Sequence, residues 1–209
     1  ITCPTVPDTS TLEMARNTLT KYSLWDKMPA SIQKFIRTAG PEMETPKDLS
    51  DHNIYSFILV PSRAACMGAY EAAAEMGIKN LMILSTVLEG QGHEVGGTFA
   101  DIAREILSSG NPMKPPCVLI GGGESTVSIT GECGKGGPNQ EFALGAALRM
   151  DGLDNVVIAS VDTDGTDGPT EIAGAMVDKY TLEQARSQGI DLFAALKKHD
   201  VSGPLEQLG

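Results

Sequence analysis

Three times along this 209-residue chain a short apolar run stops at a polar segment crowded with glycine. Pro116–Ile120 runs into Gly121-Gly122-Gly123-Glu124-Ser125-Thr126. Thr126–Thr130, with Val127 and Ile129 alternating, precedes Gly134-Lys135-Gly136-Gly137-Pro138-Asn139-Gln140-Glu141. Asn155–Val161 ends at Asp162-Thr163-Asp164-Gly165-Thr166-Asp167-Gly168-Pro169-Thr170-Glu171. Apolar runs of this length read as buried strands. In an open α/β sheet the loops that follow strands are where ligands gather.

The rest of the chain supports that class. Asn53–Val60 and Asn80–Leu88 read as further strands. Helices are expected near Leu12–Leu19, capped from Asp8, Thr9 and Ser10, and over Ala30–Thr38, Ser62–Met76, Thr98–Leu107, Pro138–Met150, Thr181–Gln188 and Leu192–His199. Strands alternating with helices at this spacing predict parallel βαβ units. The expected fold is α/β, a mostly parallel sheet flanked by helices in three α/β/α layers. The proline-bearing stretch Gly40–Asp48 has no apolar periodicity. It divides a helical segment over 1–50 from an α/β domain over 51–209.

Charge and cysteine content narrow the function. With 16 Lys and Arg against 27 Asp and Glu, the formal net charge is −11. That excess argues against nucleic acid or an anionic membrane as partner, though not against a small anion. No stretch reaches the roughly 20 apolar residues needed to span a bilayer. Cys3, Cys66, Cys117 and Cys133 have no zinc-site spacing, and Cys66 and Cys117 lie in apolar runs as buried free thiols. A reducing, cytoplasmic setting is expected. The chain opens on Ile1, consistent with processing or with a place in a longer polypeptide.

Each glycine-rich segment has its own chemistry beside an ordinary structural reading. Gly121, Gly122 and Gly123 let a backbone approach a ligand closely. Glu124 suits a metal or a hydroxyl, and Ser125 and Thr126 suit phosphate; a tight turn between strands is the alternative. In the second segment Gly136 and Gly137 lead to a helix opened by Pro138, whose free N–H groups and dipole favour an anion. Lys135 adds a full charge, and Asn139, Gln140 and Glu141 exceed what a plain cap requires. This is not a P-loop, because Gly136 follows Lys135 where a hydroxyl is needed. In the third, Asp162, Asp164, Asp167 and Glu171 repel one another unless compensated, and such oxygen ligands suit Mg²⁺. Asp167 occupies the sixth position, where a calcium loop needs glycine, so the segment reads otherwise as a solvated acidic turn. The fourth segment, Gly90-Gln91-Gly92-His93-Glu94-Val95-Gly96, relaxes the dinucleotide fingerprint, but the acidic residue expected after the next strand is missing. Glycine-assisted packing is the better reading there. His93 reads as a loop hydrogen-bonder, while His52 and His199 receive no role.

Taken together and in order, GGGEST, GKGGPNQE and DTDGTDGPTE resemble the glycerate kinases that phosphorylate the 2-hydroxyl of D-glycerate, the family whose C-terminal region is called the MOFRL domain. Pro4-Thr5-Val6-Pro7-Asp8 and Leu88-Glu89-Gly90 resemble the same family. The resemblance implies a C-terminal fragment of a longer two-domain enzyme. Residues 1–50 would be left from an upstream Rossmann-like domain carrying a lysine important for catalysis, and 51–209 would be a MOFRL-like domain lacking its final glycine- and threonine-rich segment. The family commonly has Arg at Pro138 and Gly at Cys3; the first departure leaves Lys135 as the substitute cation.

The resemblance further implies ATP and Mg²⁺ as co-substrate and cofactor, and an active site between two domains of one polypeptide. Asp162, Asp164 and Asp167 would orient the hydroxyl or hold Mg²⁺, with Glu124 as a further ligand to the metal. The loops at Gly121–Gly123 and Gly134–Gly137, with Gly165 and Thr166, would hold nucleotide or glycerate. A homodimer is compatible with this reading, and the isolated chain is expected to be inactive. Two alternatives stand beside it: an NAD(P)H-dependent hydroxypyruvate reductase, the family's older label, and a non-catalytic ligand-binding fragment.

Overall fold

The computed structural model describes residues 5–209, so Cys3 and the start of the Pro4–Asp8 motif lie outside the described residues. Two compact units divide at Ile1–Leu59 and Val60–Gly209. In the first, α1 (Leu12–Lys21) and α2 (Ala30–Thr38) are each followed by a loop carrying a short 3-10 turn. Thr11 caps α1 by accepting from Met14 N at 3.1 Å, in place of the three residues expected to do so. Asp8 instead accepts from Ser10 N and Thr45 Oγ1, both at 2.8 Å, which pins the entry to the returning loop. Arg16 crosses to α2, donating to Ile36 O at 2.8 Å and Ala39 O at 2.7 Å.

The second unit opens with α3 (Ser62–Glu75), then β1 (Asn80–Gln91), α4 (Gly92–Ser109), β2 (Cys117–Thr126) and α5 (Pro138–Ala147). β1 and β2 pair in parallel, joined through α4 as a βαβ crossover requires, and α3 packs against both strands. The sheet ends there. β3 (Val157–Val161) pairs antiparallel with β4 (Gly174–Asp178), followed by α6 (Thr181–Ser187), α7 (Leu192–Lys197) and α8 (Ser202–Leu208). The architecture is mixed α/β with a parallel pair and flanking helices.

Helix α5 is the centre of this unit. Residues Gln140–Ala147 are all buried, and Phe142, Ala143, Leu144, Ala146 and Ala147 join Ile158 of β3, Val177 of β4, Ala185 of α6, Leu192 of α7 and Leu205 of α8 in one core. From Phe142 to Ala147 the helix carries no polar side chain, and a helix apolar on every side belongs in such a position. Its contact with α4 is backbone to backbone. A Cβ at Gly96 would stand 1.9 Å from Phe142 O, and one at Gly145 would stand 2.1 Å from His93 O. Phe99 and Phe142 seal the crossing edge to face, with centroids 5.3 Å apart.

Several elements depart from the sequence reading. Asn53–Val60 forms no strand; the run is exposed, Tyr55 at 80 % and Leu59 at 89 %, because no neighbouring strand pairs with it among the described residues. β3 and β4 are antiparallel because the connection 162–173 contains no helix to carry a parallel crossover. Residues 127–130 lie outside the strand that ends at Thr126, and α4 begins at Gly92, six residues before the expected Thr98. Ser62 provides no side-chain cap for α3. β4 and α8 were not anticipated. Among the described residues no helix is long and apolar enough to cross a membrane.

Candidate functional site

Two of the polar segments, 134–141 and 162–171, meet at the first turn of α5. Gly137 precedes the helix in an extended conformation, and Pro138 begins it without an N–H to satisfy. The next two N–H groups are taken by Asp167, which the loop after β3 brings over the helix mouth. Asp167 Oδ1 accepts from Asn139 N and Nδ2, both at 3.0 Å; Oδ2 accepts from Gln140 N at 2.8 Å and Nε2 at 2.9 Å. Thr170 Oγ1 closes the loop by donating to Asp167 O at 2.7 Å and accepting from Gln140 Nε2 at 3.1 Å. The carboxylate is fully buried. Four N–H donors and the positive end of the helix dipole compensate its desolvation.

That geometry separates the third segment into two faces. Asp167 faces inward with both oxygens engaged, as a helix cap and not as an open metal ligand. The anion at the α5 mouth is therefore the chain's own carboxylate. On the other face Thr163, Asp164, Gly165, Thr166 and Glu171 are exposed and Asp162 is half-buried. Asp164 Oδ1 accepts from Thr166 N at 2.9 Å and Thr166 Oγ1 at 3.1 Å, a local turn that Gly165 permits at φ +93°. Asp162 N anchors the loop on Ala173 O at 2.6 Å.

The glycine loop before α5 is equally close-packed. Gly134 N donates to Lys198 O at 3.0 Å, Lys135 N donates to Asp200 Oδ1 at 3.0 Å, and Ser202 N donates to Lys135 O at 3.0 Å. A Cβ at Gly137 would meet Asp167 Cγ at 2.4 Å, and one at Gly136 would meet Val201 Cγ2 at 2.5 Å. These glycines admit neighbouring chain; they do not leave an open cradle. The Lys135 side chain remains exposed at the edge.

Glu141, one turn into the helix, lies between two imidazoles. It is 2 % exposed, with Oε1 2.7 Å from His199 Nδ1 and Oε2 3.7 Å from His93 Nδ1. Sequence reasoning missed these partners, as it missed Asp200, Thr170 and Ser160, whose Oγ donates to Asn139 Oδ1. The excess of polar residues in Asn139-Gln140-Glu141 was the visible signal, since each needs a buried partner.

The remaining residues sit elsewhere in the same unit. Gly121, Gly122 and Gly123 lie within β2, not in a loop after it. A Cβ at Gly121 would meet Leu88 Cδ1 at 2.5 Å, one at Gly122 would meet Cys66 Sγ at 2.4 Å, and one at Gly123 would meet Leu88 O at 2.1 Å. The run is glycine because α3, α4 and β1 crowd the strand. Glu124 is exposed and pairs in register with Glu89; Ser125 and Thr126 pair with Gly90 and Gln91 at the end of the ladder. The fourth segment is likewise packing, since a Cβ at Gly92 would stand 2.4 Å from Pro138 O. No three His, Cys, Asp or Glu side chains are gathered to hold a metal ion among the described residues.

Residues 117–209 match the model of the MOFRL family. Over 209 residues, 99 % of the chain, it is 40 % identical to a glycerate 2-kinase of Pyrococcus horikoshii, of which it spans 47 %. Over 94 % of the chain it is 37 % identical to a putative hydroxypyruvate reductase of Agrobacterium vitis, of which it spans 50 %. The solved glycerate kinase of Thermotoga maritima superposes with a TM-score of 0.73 at 37 % identity, over 97 % of this chain and 46 % of that one. The chain thus spans about half the length of the relatives it matches. The MOFRL match covers residues 117–209, and the likeness to glycerate kinases extends over nearly the whole chain.

Proposed function

We infer that the chain is the MOFRL-bearing part of a kinase that transfers the γ-phosphoryl group of ATP to the 2-hydroxyl of D-glycerate. The observation that carries this reading is 40 % identity over 99 % of the chain to a glycerate 2-kinase. On this reading the whole enzyme is a cytoplasmic, two-domain polypeptide, residues 1–50 are contributed by the other domain, and the isolated chain is inactive. The reductase reading loses its one sequence support, because Gly92 and Gly96 of that segment are used where α4 crosses α5.

Phosphoryl transfer depends on positioning and charge neutralisation. Asp167 supports the site from beneath, fixing the 162–168 loop to α5 through its four hydrogen bonds. Asp162 and Asp164, on the outer side of that loop, are the groups that would hold Mg²⁺. One or two carboxylates with substrate phosphates fit its usual coordination. Mg²⁺ neutralises phosphate charge when bound. Thr166, Lys135 and the exposed end of β2 at Glu124–Thr126 are the remaining groups for glycerate and nucleotide.

The test is thermal unfolding of this chain with D-glycerate, Mg-ATP or NADPH added separately. A ligand that binds only the folded state raises the melting temperature by mass action. Stabilisation by D-glycerate or Mg-ATP and none by NADPH is expected. Stabilisation by NADPH alone would overturn the reading in favour of a reductase.

A further inference from the structure

The buried Glu141 carboxylate is approached by no lysine or arginine among the described residues. Its only ion-pair partners there are two histidines from different elements, and the two contacts are unequal. At His199 the Nδ1 to Oε1 distance is that of a hydrogen bond, 2.7 Å. At His93 the Nδ1 to Oε2 distance is 3.7 Å, and both atoms are buried without a hydrogen-bond partner. With Nδ1 unprotonated, two lone pairs face each other and repel; with the proton on Nδ1, the same geometry aims a donor at an acceptor.

We propose that His93, Glu141 and His199 form a proton-operated latch that ties the first turn of α4 and the α7–α8 turn to α5. The His93 side chain is about one-third exposed (36 %), so solvent supplies the proton, and closure needs less than an ångström or so of movement to reach hydrogen-bond distance. Its backbone cannot follow, because His93 O lies against Gly145. His199 sits in a left-handed conformation at φ +52°, held at the turn that anchors the glycine loop through Lys198 O and Asp200. Closing the latch therefore firms Gly134 and Lys135.

The other charged groups on the packed elements are Glu94, Asp101, Arg104 and Glu105 on α4, Lys197 on α7, Glu206 on α8, Lys135 on the glycine loop, Asp167 at the α5 mouth, and Lys198 and Asp200 on the turn. None of them forms an ion pair with Glu141 among the described residues. A proton gained at His93 adds a donor facing Oε2. Acidification closes the latch. A metal centre is not the better reading, because His199 Nδ1 is already spent on Oε1 and no metal cluster forms there.

The test is amide hydrogen exchange of the intact chain at about pH 5.5 and about pH 8, spanning the imidazole range. After correction for intrinsic exchange, protection of the Gly134 and Lys135 amides is expected to be about threefold to tenfold higher at the lower pH, and His93→Gln to abolish the difference. An undiminished difference in His93→Gln would overturn the latch. Should that variant fail to fold, imidazole nitrogen shifts of the wild-type chain decide. Protonation of His93 Nδ1 together with the rise in protection supports the latch, and either without the other contradicts it. The inference does not depend on the kinase reading.

Discussion

Asp167 grips Gln140 twice, its Oδ2 accepting the backbone N–H at 2.8 Å and the side-chain Nε2 at 2.9 Å. Residues 27 positions apart are thereby fused into one helix cap, and the acidic segment acquires an inner and an outer side. The inner carboxylate caps the helix, while Asp164 lies exposed on the outer side, bonded within its own turn.

Asp167→Ala leaves the donors of Asn139 and Gln140 buried without an acceptor, and is expected to destabilise the chain by about 2–4 kcal/mol. Asp164→Ala removes only an exposed turn, and stays within about 0.5 kcal/mol of wild type. Urea denaturation of the two variants measures the contrast. Equal stabilities would refute the assignment of Asp167 as the cap.

The helix crossing makes an equally sharp prediction with glycine. Gly96→Ala drives a methyl into Phe142 O and is expected to cost about 3 kcal/mol or to prevent folding. Gly68→Ala in α3 meets nothing within 4 Å and is expected to stabilise by about 0.5–1 kcal/mol. Melting temperatures that move in opposite directions bear this out.

Thiol reactivity reports on the second unit. Cys133 is exposed, Cys66 is buried, and burial pushes the Cys117 thiol above its ordinary range, disfavouring the reactive thiolate. In a Cys3→Ser background, alkylation at mild alkaline pH is expected to modify Cys133 first, Cys117 more slowly, and Cys66 only on unfolding. Labelling of Cys117 at the rate of Cys133 would contradict the packing of β2.

In the first unit, hydrogen bonds from the Ser10 hydroxyl and amide, with Thr45, hold the Asp8 carboxyl down at about 2. A depressed carboxylate contributes stability that is present above its ordinary value and lost as pH falls through the folded value. The Asp8–Ser10–Thr45 junction should therefore loosen between about pH 4 and about pH 2. A carboxyl carbon titration by NMR checks this, and an Asp8 midpoint near the ordinary aspartate value would be the contrary result.

The sequence made α2, the parallel β1–α4–β2 unit and the start of α5 at Pro138 legible, because each rests on local periodicity or a local start or stop signal. It was silent on β4, which opens at Gly174 and offers only Ala175, Met176 and Val177 as a signal. It overread Asn53–Val60, since strand propensity becomes a strand only beside a partner. The glycine segments were visible but their purpose was not. Glycine permits close approach whether the visitor is a phosphate or a helix, and at Gly96, Gly122 and Gly137 the visitor is Phe142, Cys66 and Asp167. The pairing of Glu141 with His93 and His199 spans 48 and 58 positions, beyond the reach of any local pattern.

The most direct measurement is a calorimetric titration of Mg-ATP and of D-glycerate into the wild-type chain and into Asp164→Ala. The wild-type chain is expected to bind at least one of them, and Asp164→Ala to lose about tenfold or more in affinity, a difference of about 1.4 kcal/mol, with an unchanged fold. Binding that is absent from the wild-type chain, or undiminished in Asp164→Ala, would contradict the assignment of the outer face of this loop to a glycerate kinase site.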